Sequence, residues 1–307
     1  MLDGPARPTL VPVSFGTMFE ITGRLVRRHL RLLLVLAAVF LLIPALVGAV
    51  AWIVLFDALL PYLPDPNGAR AAVTLAQGED LVRASLIFVA AALLEAVASA
   101  LAAVAFSRVV ATDYAARRPG FREAAVTVAR RGPAAVGAIL LSLGATIAIG
   151  LGGATIALAI ISASGTDARG GGLGVFLALI VVVSCVAVAI VLSVRWSLAL
   201  VAVAVERMGP LGALIRSWRL TAGAAWRTFG VVVVATLITA VLGGLVSELL
   251  GLTLADLVFG EASEQALAMR TGISAVVAIA FAPILPVAVT VLYFDRRVRA
   301  EGDAALP

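Results

Sequence analysis

Residues 32–56 read LLLVLAAVFLLIPALVGAVAWIVLF, a run of 25 residues without a charged side chain. A helix needs about 20 apolar residues to cross a hydrocarbon core roughly 30 Å thick, so this run is long enough to span a membrane. Pro44 interrupts the run, and a proline inside a transmembrane helix is expected to bend the helix rather than end it. The run decides the fold class, because five more long, predominantly apolar segments follow it.

The other five segments are also delimited by charged residues. They lie at about 84–107, 134–163, 173–205, 228–249 and 272–294. The sequence therefore predicts an all-α, polytopic membrane helix bundle with six transmembrane helices within residues 32–294. Residues 1–31 are predicted to form a cytoplasmic segment with an interfacial helix, and residues 295–307 are predicted to form a cytoplasmic tail.

The composition excludes a soluble globular enzyme. Apolar residues make up 62% of the chain, charged residues 13%, and the mean hydropathy is +1.12, whereas a soluble domain has about 45–50% apolar and about 25% charged residues. The chain has no lysine, one histidine (His29) and one cysteine (Cys185). These are too few for a zinc site of the usual nitrogen and sulfur ligands. We predict no catalytic residue, no metal site, no cofactor and no nucleic-acid partner.

The distribution of arginine predicts the orientation. Nineteen of the 23 arginines fall in the N-terminal segment, in alternate loops and after the last span, all on one side of the membrane. Positively charged loops face the cytoplasm, so both termini are predicted to be cytoplasmic in a multi-pass protein of the bacterial plasma membrane. A cleaved signal peptide is disfavoured, because both the leader and its apolar run are too long for one.

A basic segment with helical periodicity precedes each odd-numbered span. The first copy runs from Phe15 to Leu30, the second and weaker one from Phe121 to Arg131, and the clearest one from Leu211 to Phe229. Such helices are expected to lie in the membrane interface, with their apolar faces in the acyl boundary and their arginines among anionic headgroups. The candidate headgroup contacts are Arg24, Arg27, Arg28, Arg31, Arg216, Arg219 and Arg227. The apolar stripe of the clearest copy is Leu211, Leu214, Ile215, Trp218, Ala222, Ala225, Trp226 and Phe229.

The spacing of these segments suggests a threefold pattern. The odd-numbered spans begin near residues 32, 134 and 229, which predicts three units, each an interfacial helix followed by a transmembrane hairpin. The alternative is that no repeat exists. The positive-inside rule alone gives every six-span protein with a cytoplasmic N-terminus three basic segments of this kind.

Two charged residues lie deep in the predicted spans. Glu95 is 13 residues from Arg108, hence roughly 20 Å from that end of its helix, and Arg195 would lie at roughly 17 Å if its helix continued to Glu206. We expect Glu95 and Arg195 to form an intramembrane ion pair, since charged groups at this depth are costly alone. In the alternative, Arg195 lies at the interface, residues 196–205 run along the surface, and Glu95 is neutral or hydrogen-bonded.

Small residues and cytoplasmic acids give two more predictions. Thr146, Gly150 and Ala154 recur at four-residue spacing and are expected to form a helix-packing stripe. Asp113, Glu123, Glu206 and Asp295 lie near the cytoplasmic face and would be the acids of a membrane enzyme acting on lipids. The simpler expectation for these four acids is that they are solvated or paired with arginine.

Three stretches together resemble bacterial proteins that carry the glycerophosphoryl diester phosphodiesterase membrane domain. They are SFGTMFEITGRLVRRHLRLLLVLAAVFLLIPALV (14–47), AVERMGPLGALIRSWRLTAGAAWRTFGVVVVATLI (204–238) and LYFDRRVRAEG (292–302). In the founding members of that family the membrane domain precedes a soluble catalytic barrel with a histidine- and carboxylate-lined metal site. The resemblance implies a bacterial, actinobacterial-type membrane protein without that barrel, so phosphodiesterase activity is not expected to carry over.

The function expected from these features is that of a non-enzymatic scaffold or accessory subunit. Its expected partners are anionic lipid headgroups and a membrane protein partner or further copies of the chain. The alternative is a transporter of small molecules or lipids that uses Glu95 within the bundle, with bent or broken helices at Pro44, Pro283 and Pro286.

Overall fold

The computed structural model describes residues 13–62, 75–164, 168–259 and 264–301. Those residues form ten α-helices, and no strand occurs among them. The helices are α1 (Phe15–Arg28), α2 (Leu30–Leu59), α3 (Leu75–Tyr114), α4 (Phe121–Ala163), α5 (Ala168–Trp196), α6 (Ala199–Glu206), α7 (Pro210–Thr221), α8 (Ala225–Phe259), α9 (Glu264–Phe281) and α10 (Ile284–Glu301).

Among the residues that the structure describes, six stretches are long and apolar enough to cross a membrane, which confirms the predicted fold class. They are Leu30–Tyr62, Ala76–Tyr114, Phe121–Ala163, Gly172–Glu206, Ala225–Phe259 and Gln265–Glu301. The helices extend beyond the uncharged runs, because backbone hydrogen bonding continues past the last apolar side chain. Pro44 lies inside α2 without ending it, as expected.

Two of the six crossings are broken into two helices. Proline has no N–H to donate, and the sixth crossing is interrupted at Pro283, between α9 and α10. The fourth crossing is interrupted at Ser197 and Leu198, between α5 and α6. The predicted alternative in which residues 196–205 run along the membrane surface is wrong, because α6 is buried between α3, α4 and α7.

A hydroxyl group from α7 bridges the break in the fourth crossing. Ser217 Oγ accepts a hydrogen bond from the Leu198 N–H at 3.1 Å and donates one to the Arg195 carbonyl at 2.6 Å. Helix ends leave such backbone groups without intrahelical partners. Ser217 therefore satisfies one donor and one acceptor that the break would otherwise leave unpaired in the bundle.

The helices form three hairpins that pack side by side in a closed ring. The hairpins are α2–α3, α4–α5 and α8–α9. Then α3 packs on α4, the pair α5 and α6 packs on α7 and α8, and the pair α9 and α10 packs back on α2 and α1. The helices α3, α6 and α10 meet at the centre of this arrangement.

The segments that precede the odd-numbered crossings differ from one another. The segment before the first crossing is the separate helix α1, whereas the segment 121–131 runs without a break into α4. The stretch 211–229 is divided between α7 and α8 by a turn at Gly223, whose φ is +73°. A glycine adopts this left-handed conformation without the steric cost of a Cβ.

The core lies in one half of the bundle. The half containing α6 and α10 is closely packed, and residues 287–295 of α10 are all buried. Most large apolar side chains in the other half, such as Leu151, Leu158 and Leu173, are exposed. We call the packed end the arginine-rich end; it carries Arg28, Arg131, Arg207, Arg227 and Arg297.

Candidate functional site

Glu206, the last residue of α6, connects three helices at the arginine-rich end. It accepts two near-parallel hydrogen bonds from Arg216 of α7, from Nε at 3.0 Å and from Nη2 at 2.9 Å. From α10, the Tyr293 hydroxyl donates to the same carboxylate and Arg297 Nε lies 3.5 Å from it. Arg216 also donates to Glu301. Burial lowers the pKa of the Arg216 guanidinium, but its hydrogen bonds to the two carboxylates more than offset this and raise the pKa above its ordinary value.

Asp295 connects the beginning of the described chain to its end. Its side chain is 1% exposed, and its Oδ1 accepts a hydrogen bond from the Val13 N–H at 2.9 Å. Arg299 Nε lies 3.0 Å and Arg227 Nη2 3.3 Å from its Oδ2. The Val13 carbonyl in turn accepts from Arg227 at 2.5 Å and from Arg299 at 3.1 Å. These contacts join α1, α8 and α10 and close the ring.

Two further acids join the other neighbouring elements. Asp113 at the end of α3 lies 2.8 Å from His29 Nε2 and 3.2 Å from Arg28 Nη1, at the junction of α1 and α2. Glu123 in the first turn of α4 accepts from Arg108 Nη2 at 2.5 Å and lies 3.6 Å from Arg117. With Glu206 and Asp295, all four acids are paired with arginine, as expected for acids near an arginine-rich face.

The candidate headgroup arginines divide into two groups. Arg24, Arg27, Arg31 and Arg219 are exposed, and none of them has a carboxylate within ion-pair distance in the part of the chain that the structure describes. Arg28 is also exposed but pairs with Asp113. Arg216 and Arg227 are internal links, so their prediction as headgroup contacts is corrected: each lies against acids contributed by α6 or α10.

The exposed faces of the first and third segments differ. The stripe residues Leu211, Ile215, Trp218 and Trp226 are exposed at the surface, as an interfacial helix requires. The buried face of α7 is formed by Ala213, Leu214, Ser217, Leu220 and Thr221, and Leu214 is the one stripe residue of this helix that it includes. In α1, by contrast, Met18 and Leu25 of the apolar stripe are buried against the protein.

A large cavity at the arginine-rich end is lined by cations. It has a volume of about 680 Å³ and lies between the ends of α3 and α6 and the first turns of α4. Six guanidinium side chains line it, with a single carboxylate, Glu123. We call it the arginine cavity; its arginines are Arg108, Arg118, Arg122, Arg130, Arg131 and Arg207.

Backbone geometry adds to the positive character of this cavity. The N-terminus of α4 opens on it at Gly120, which provides no side-chain cap, so the N–H groups of the first turn have no side-chain partner there. A helix N-terminus carries a partial positive charge. Arg207 ends α6 in the left-handed conformation, with φ 58° and ψ 34°, and its carbonyl accepts from Arg131 at 3.4 Å.

Comparison with known families covers most of this region. Residues 121–296, more than half of the chain, match a domain of unknown function, DUF7847. The chain belongs to the DUF7847 family. The matched DUF7847 region begins at the first residue of α4 and ends beside Asp295, and it includes four of the six arginines of the cavity. No curated protein and no solved structure matches the DUF7847 chain.

The structure of the DUF7847 chain does not bring Glu95 and Arg195 together. Glu95 is exposed on α3, and its carboxylate lies beside Gly48 of α2. The guanidinium of Arg195 lies 5.0 Å from the ring centre of Trp218, and its Nε and Nη1 are buried without a hydrogen-bond partner. The predicted ion pair is wrong because α3 packs here on α2, whereas the end of α5 packs on α4 and α7.

The helix-packing stripe of the DUF7847 chain is shifted from the predicted one. Gly150 and Ala154 are exposed, and no side chain approaches the position of a Cβ at Gly150. In this part of α4 the buried small residues are instead Gly153 and Ala157, and Gly153 lies directly against Cys185 of α5. Thr146 lines a separate cavity. The prediction selected the wrong one of two small-residue faces on the same helix.

Sequence reasoning missed the arginine cavity of the DUF7847 chain. The signal was present, since residues 108–131 contain six arginines but only two acids, Asp113 and Glu123. The arginines of this stretch support the predicted orientation, and those of 121–131 the predicted interfacial segment, but neither prediction places them around a cavity. The contribution of Arg207, from the other side of the cavity, depends on the packing of α6 against α3 and α4.

Proposed function

We propose that this integral membrane protein is non-enzymatic, resides in a bacterial plasma membrane with both termini in the cytoplasm, and binds anionic lipid at its arginine-rich end. It would act there as a scaffold or accessory subunit for a membrane partner. The observation that supports the proposal is the surplus of exposed arginines without a carboxylate partner on α1, α4 and α7 and at the start of α2, beside exposed apolar side chains.

The exposed arginines attract anionic lipid electrostatically. Of the acids at this end, the four described above and Glu301 are paired internally, and no carboxylate lies within ion-pair distance of Arg24, Arg27, Arg31 or Arg219 among the described residues. Each arginine near a membrane surface contributes about 1 kcal/mol of attraction to anionic lipid. On α7, Trp218 and Ile215 are exposed beside Arg219, an arrangement suited to insertion at the headgroup boundary.

The test is a measurement of lipid selection. The protein is reconstituted in nanodiscs of phosphatidylcholine and phosphatidylglycerol, extracted gently, and its retained lipids are counted by native mass spectrometry. We expect enrichment of phosphatidylglycerol over the starting mixture, with less enrichment at high salt because screening weakens exposed charges. A surface variant, Arg24→Ala with Arg27→Ala, Arg31→Ala and Arg219→Ala, should lose most of the enrichment.

The matched control is Arg83→Ala, which removes an exposed arginine near the opposite end of α3. It should retain the wild-type enrichment. Equal lipid ratios in wild type and surface variant would contradict the proposed lipid-binding function. Turnover of glycerophosphodiesters or phospholipids by the purified protein would contradict the proposal that the protein is non-enzymatic. It would favour an activity related to that of the phosphodiesterase family that the sequence resembles.

A transporter is the second candidate, favoured by the two broken crossings and by an ionisable group within the membrane. Discontinuous helices form the substrate sites of many transporters, and Glu95 lies exposed within the third helix rather than in an ion pair. Proton-coupled flux of a solute into proteoliposomes that is abolished by Glu95→Gln, and retained in Glu79→Gln, would support this candidate over the scaffold.

A further inference from the structure

We infer that the arginine cavity is a saturable site for one multiply charged phosphate group, distinct from the general lipid-facing surface. The inference rests on the proposed function, because it gives the anionic ligand of the arginine-rich end a specific site and a specific charge. It is drawn from the cavity lining, the charge of that lining and the backbone that frames it.

The arginine cavity has a large net positive charge. Six guanidiniums surround one carboxylate, which leaves a net charge of about +5 around a cavity of about 680 Å³. Glu123 is already engaged by Arg108 and Arg117. Arg118, Arg122 and Arg130 have no carboxylate within ion-pair distance anywhere in the described parts of the chain. A cluster of this kind favours an anion that neutralises several charges at once.

The guanidinium groups of the cavity determine which kind of anion suits it. Guanidinium groups bind phosphate through paired, charge-assisted hydrogen bonds. A phosphodiester headgroup carries a single negative charge, whereas a phosphomonoester carries about −1.5 to −2 at neutral pH. The cavity therefore suits a lipid with a phosphomonoester or with more than one phosphate, or a soluble compound with linked phosphates.

The backbone that borders the arginine cavity also favours an anion. The N-terminus of α4 begins at Gly120 in the cavity wall without a side-chain cap, and an uncapped helix N-terminus favours an anion. On the opposite wall, Arg207 occupies a backbone conformation that is unfavourable for a residue with a side chain. Strained residues of this kind are concentrated at ligand sites, and here the strained residue contributes a guanidinium to the lining.

The experiment has a lipid arm and a soluble arm. In the lipid arm, nanodiscs of phosphatidylcholine contain a small fraction of either phosphatidate or phosphatidylglycerol, and bound lipid is counted by native mass spectrometry. In the soluble arm, pyrophosphate is titrated calorimetrically into protein held in phosphatidylcholine alone. We expect one phosphatidate per chain, or one pyrophosphate per chain, to bind at saturation. The arm that responds identifies the source of the phosphate.

The pocket variant combines Arg122→Ala with Arg130→Ala. Both side chains are exposed and neither takes part in an internal ion pair, so the fold should be retained. Loss of charged hydrogen bonds to phosphate should weaken the saturable binding at least about tenfold. The conservative variant Arg122→Lys with Arg130→Lys keeps the charge but loses paired geometry, and it should show an intermediate loss.

The surface variant defined above is the matched control, because its four arginines lie outside the arginine cavity. It should lose phosphatidylglycerol enrichment but keep the saturable phosphate site. The inference is overturned if neither ligand binds at one per chain, or if the surface variant loses that binding as much as the pocket variant does. Phosphatidylglycerol enrichment that persists in that case leaves the proposed function standing, so the two failures are distinguishable.

Discussion

At the scale of single residues, Asp295 is a buried carboxylate that has three partners. Its carboxylate is almost fully enclosed and is shared by Val13, Arg227 and Arg299. Such a group is stabilising only while all its partners remain, because an unmatched charge or donor in this position keeps its full desolvation cost. The residue therefore acts as the closing contact between elements that are far apart in the sequence.

Asp295→Asn tests this role. The variant removes the negative charge but preserves the shape, leaving two guanidiniums beside a neutral amide. We expect the free energy of unfolding in detergent to fall by about 2–3 kcal/mol. Asp80→Asn, at an exposed position near the start of α3, should leave stability within about 0.5 kcal/mol of wild type. Similar melting curves for the two variants would contradict the assigned role of Asp295.

Arg207→Gly separates backbone strain from side-chain function. The left-handed conformation of Arg207 costs an L-residue roughly 1–2 kcal/mol, and glycine avoids this cost. We expect the variant to be at least as stable as wild type by chemical unfolding, while its phosphate binding weakens. Arg130→Gly removes a guanidinium from the same cavity but lies inside α4, so it should lose about 1 kcal/mol.

At the scale of secondary-structure elements, the break between α5 and α6 depends on one hydroxyl. Ser217→Ala leaves the Leu198 N–H and the Arg195 carbonyl without their partner in a buried setting. We expect a loss of about 1–3 kcal/mol in unfolding free energy. Ser193→Ala is the control, because the exposed Ser193 hydroxyl only bonds back to its own helix. Equal stability of the two variants would show that the break needs no support from α7.

The α4–α5 hairpin offers a matched pair of glycines. Gly153→Val places new atoms directly against Cys185, and overpacking of this kind costs about 1–3 kcal/mol. Gly150→Val, three residues away, meets open space and should be tolerated. Thermal stability in detergent distinguishes the two. Greater damage at Gly150 would restore the originally predicted stripe.

The same elements explain which parts of the fold were predictable. Apolar length is a local property, so the six crossings follow from the spacing of charges, and Pro283 marks the break in the sixth. The break at Ser197 and Leu198 has neither glycine nor proline to mark it. The partners of Glu95 and Arg195 depend on which helices are neighbours, and depth along a helix alone does not determine this.

In the candidate site as well, features that depend on nearby sequence were predictable and features that depend on tertiary packing were not. Pairing of the four acids was predictable because each lies among many arginines in sequence. The assignment of Arg216 and Arg227 to headgroups failed, since Glu206 of the neighbouring α6 pairs with Arg216 and Asp295 of the distant α10 pairs with Arg227. The arginine cavity combines residues near 118–131 with Arg207, and only tertiary packing brings these together.

At the scale of the whole molecule, orientation remains a prediction that a labelling experiment tests. In a Cys185→Ala background, Arg27→Cys and Arg83→Cys place single thiols at exposed sites on α1 and α3. A membrane-impermeant maleimide added to intact cells should label Arg83→Cys and spare Arg27→Cys, because arginine-rich loops face the cytoplasm. Permeabilised cells should label both. The reverse pattern in intact cells would invert the orientation and place the arginine cavity outside.

The closed ring has a consequence for biosynthesis. Ribosomes deliver the chain in order, so α1 and α2 enter the membrane long before α10, the element against which α1 packs. Until translation reaches Asp295, Val13 lacks its carboxylate acceptor and Arg227 lacks its counterion. The surfaces of α1 and α2 that pack on α10 and α9 therefore remain uncovered until synthesis is nearly complete. A ribosome stalled before α10 should leave a nascent chain that membrane proteases recognise and degrade.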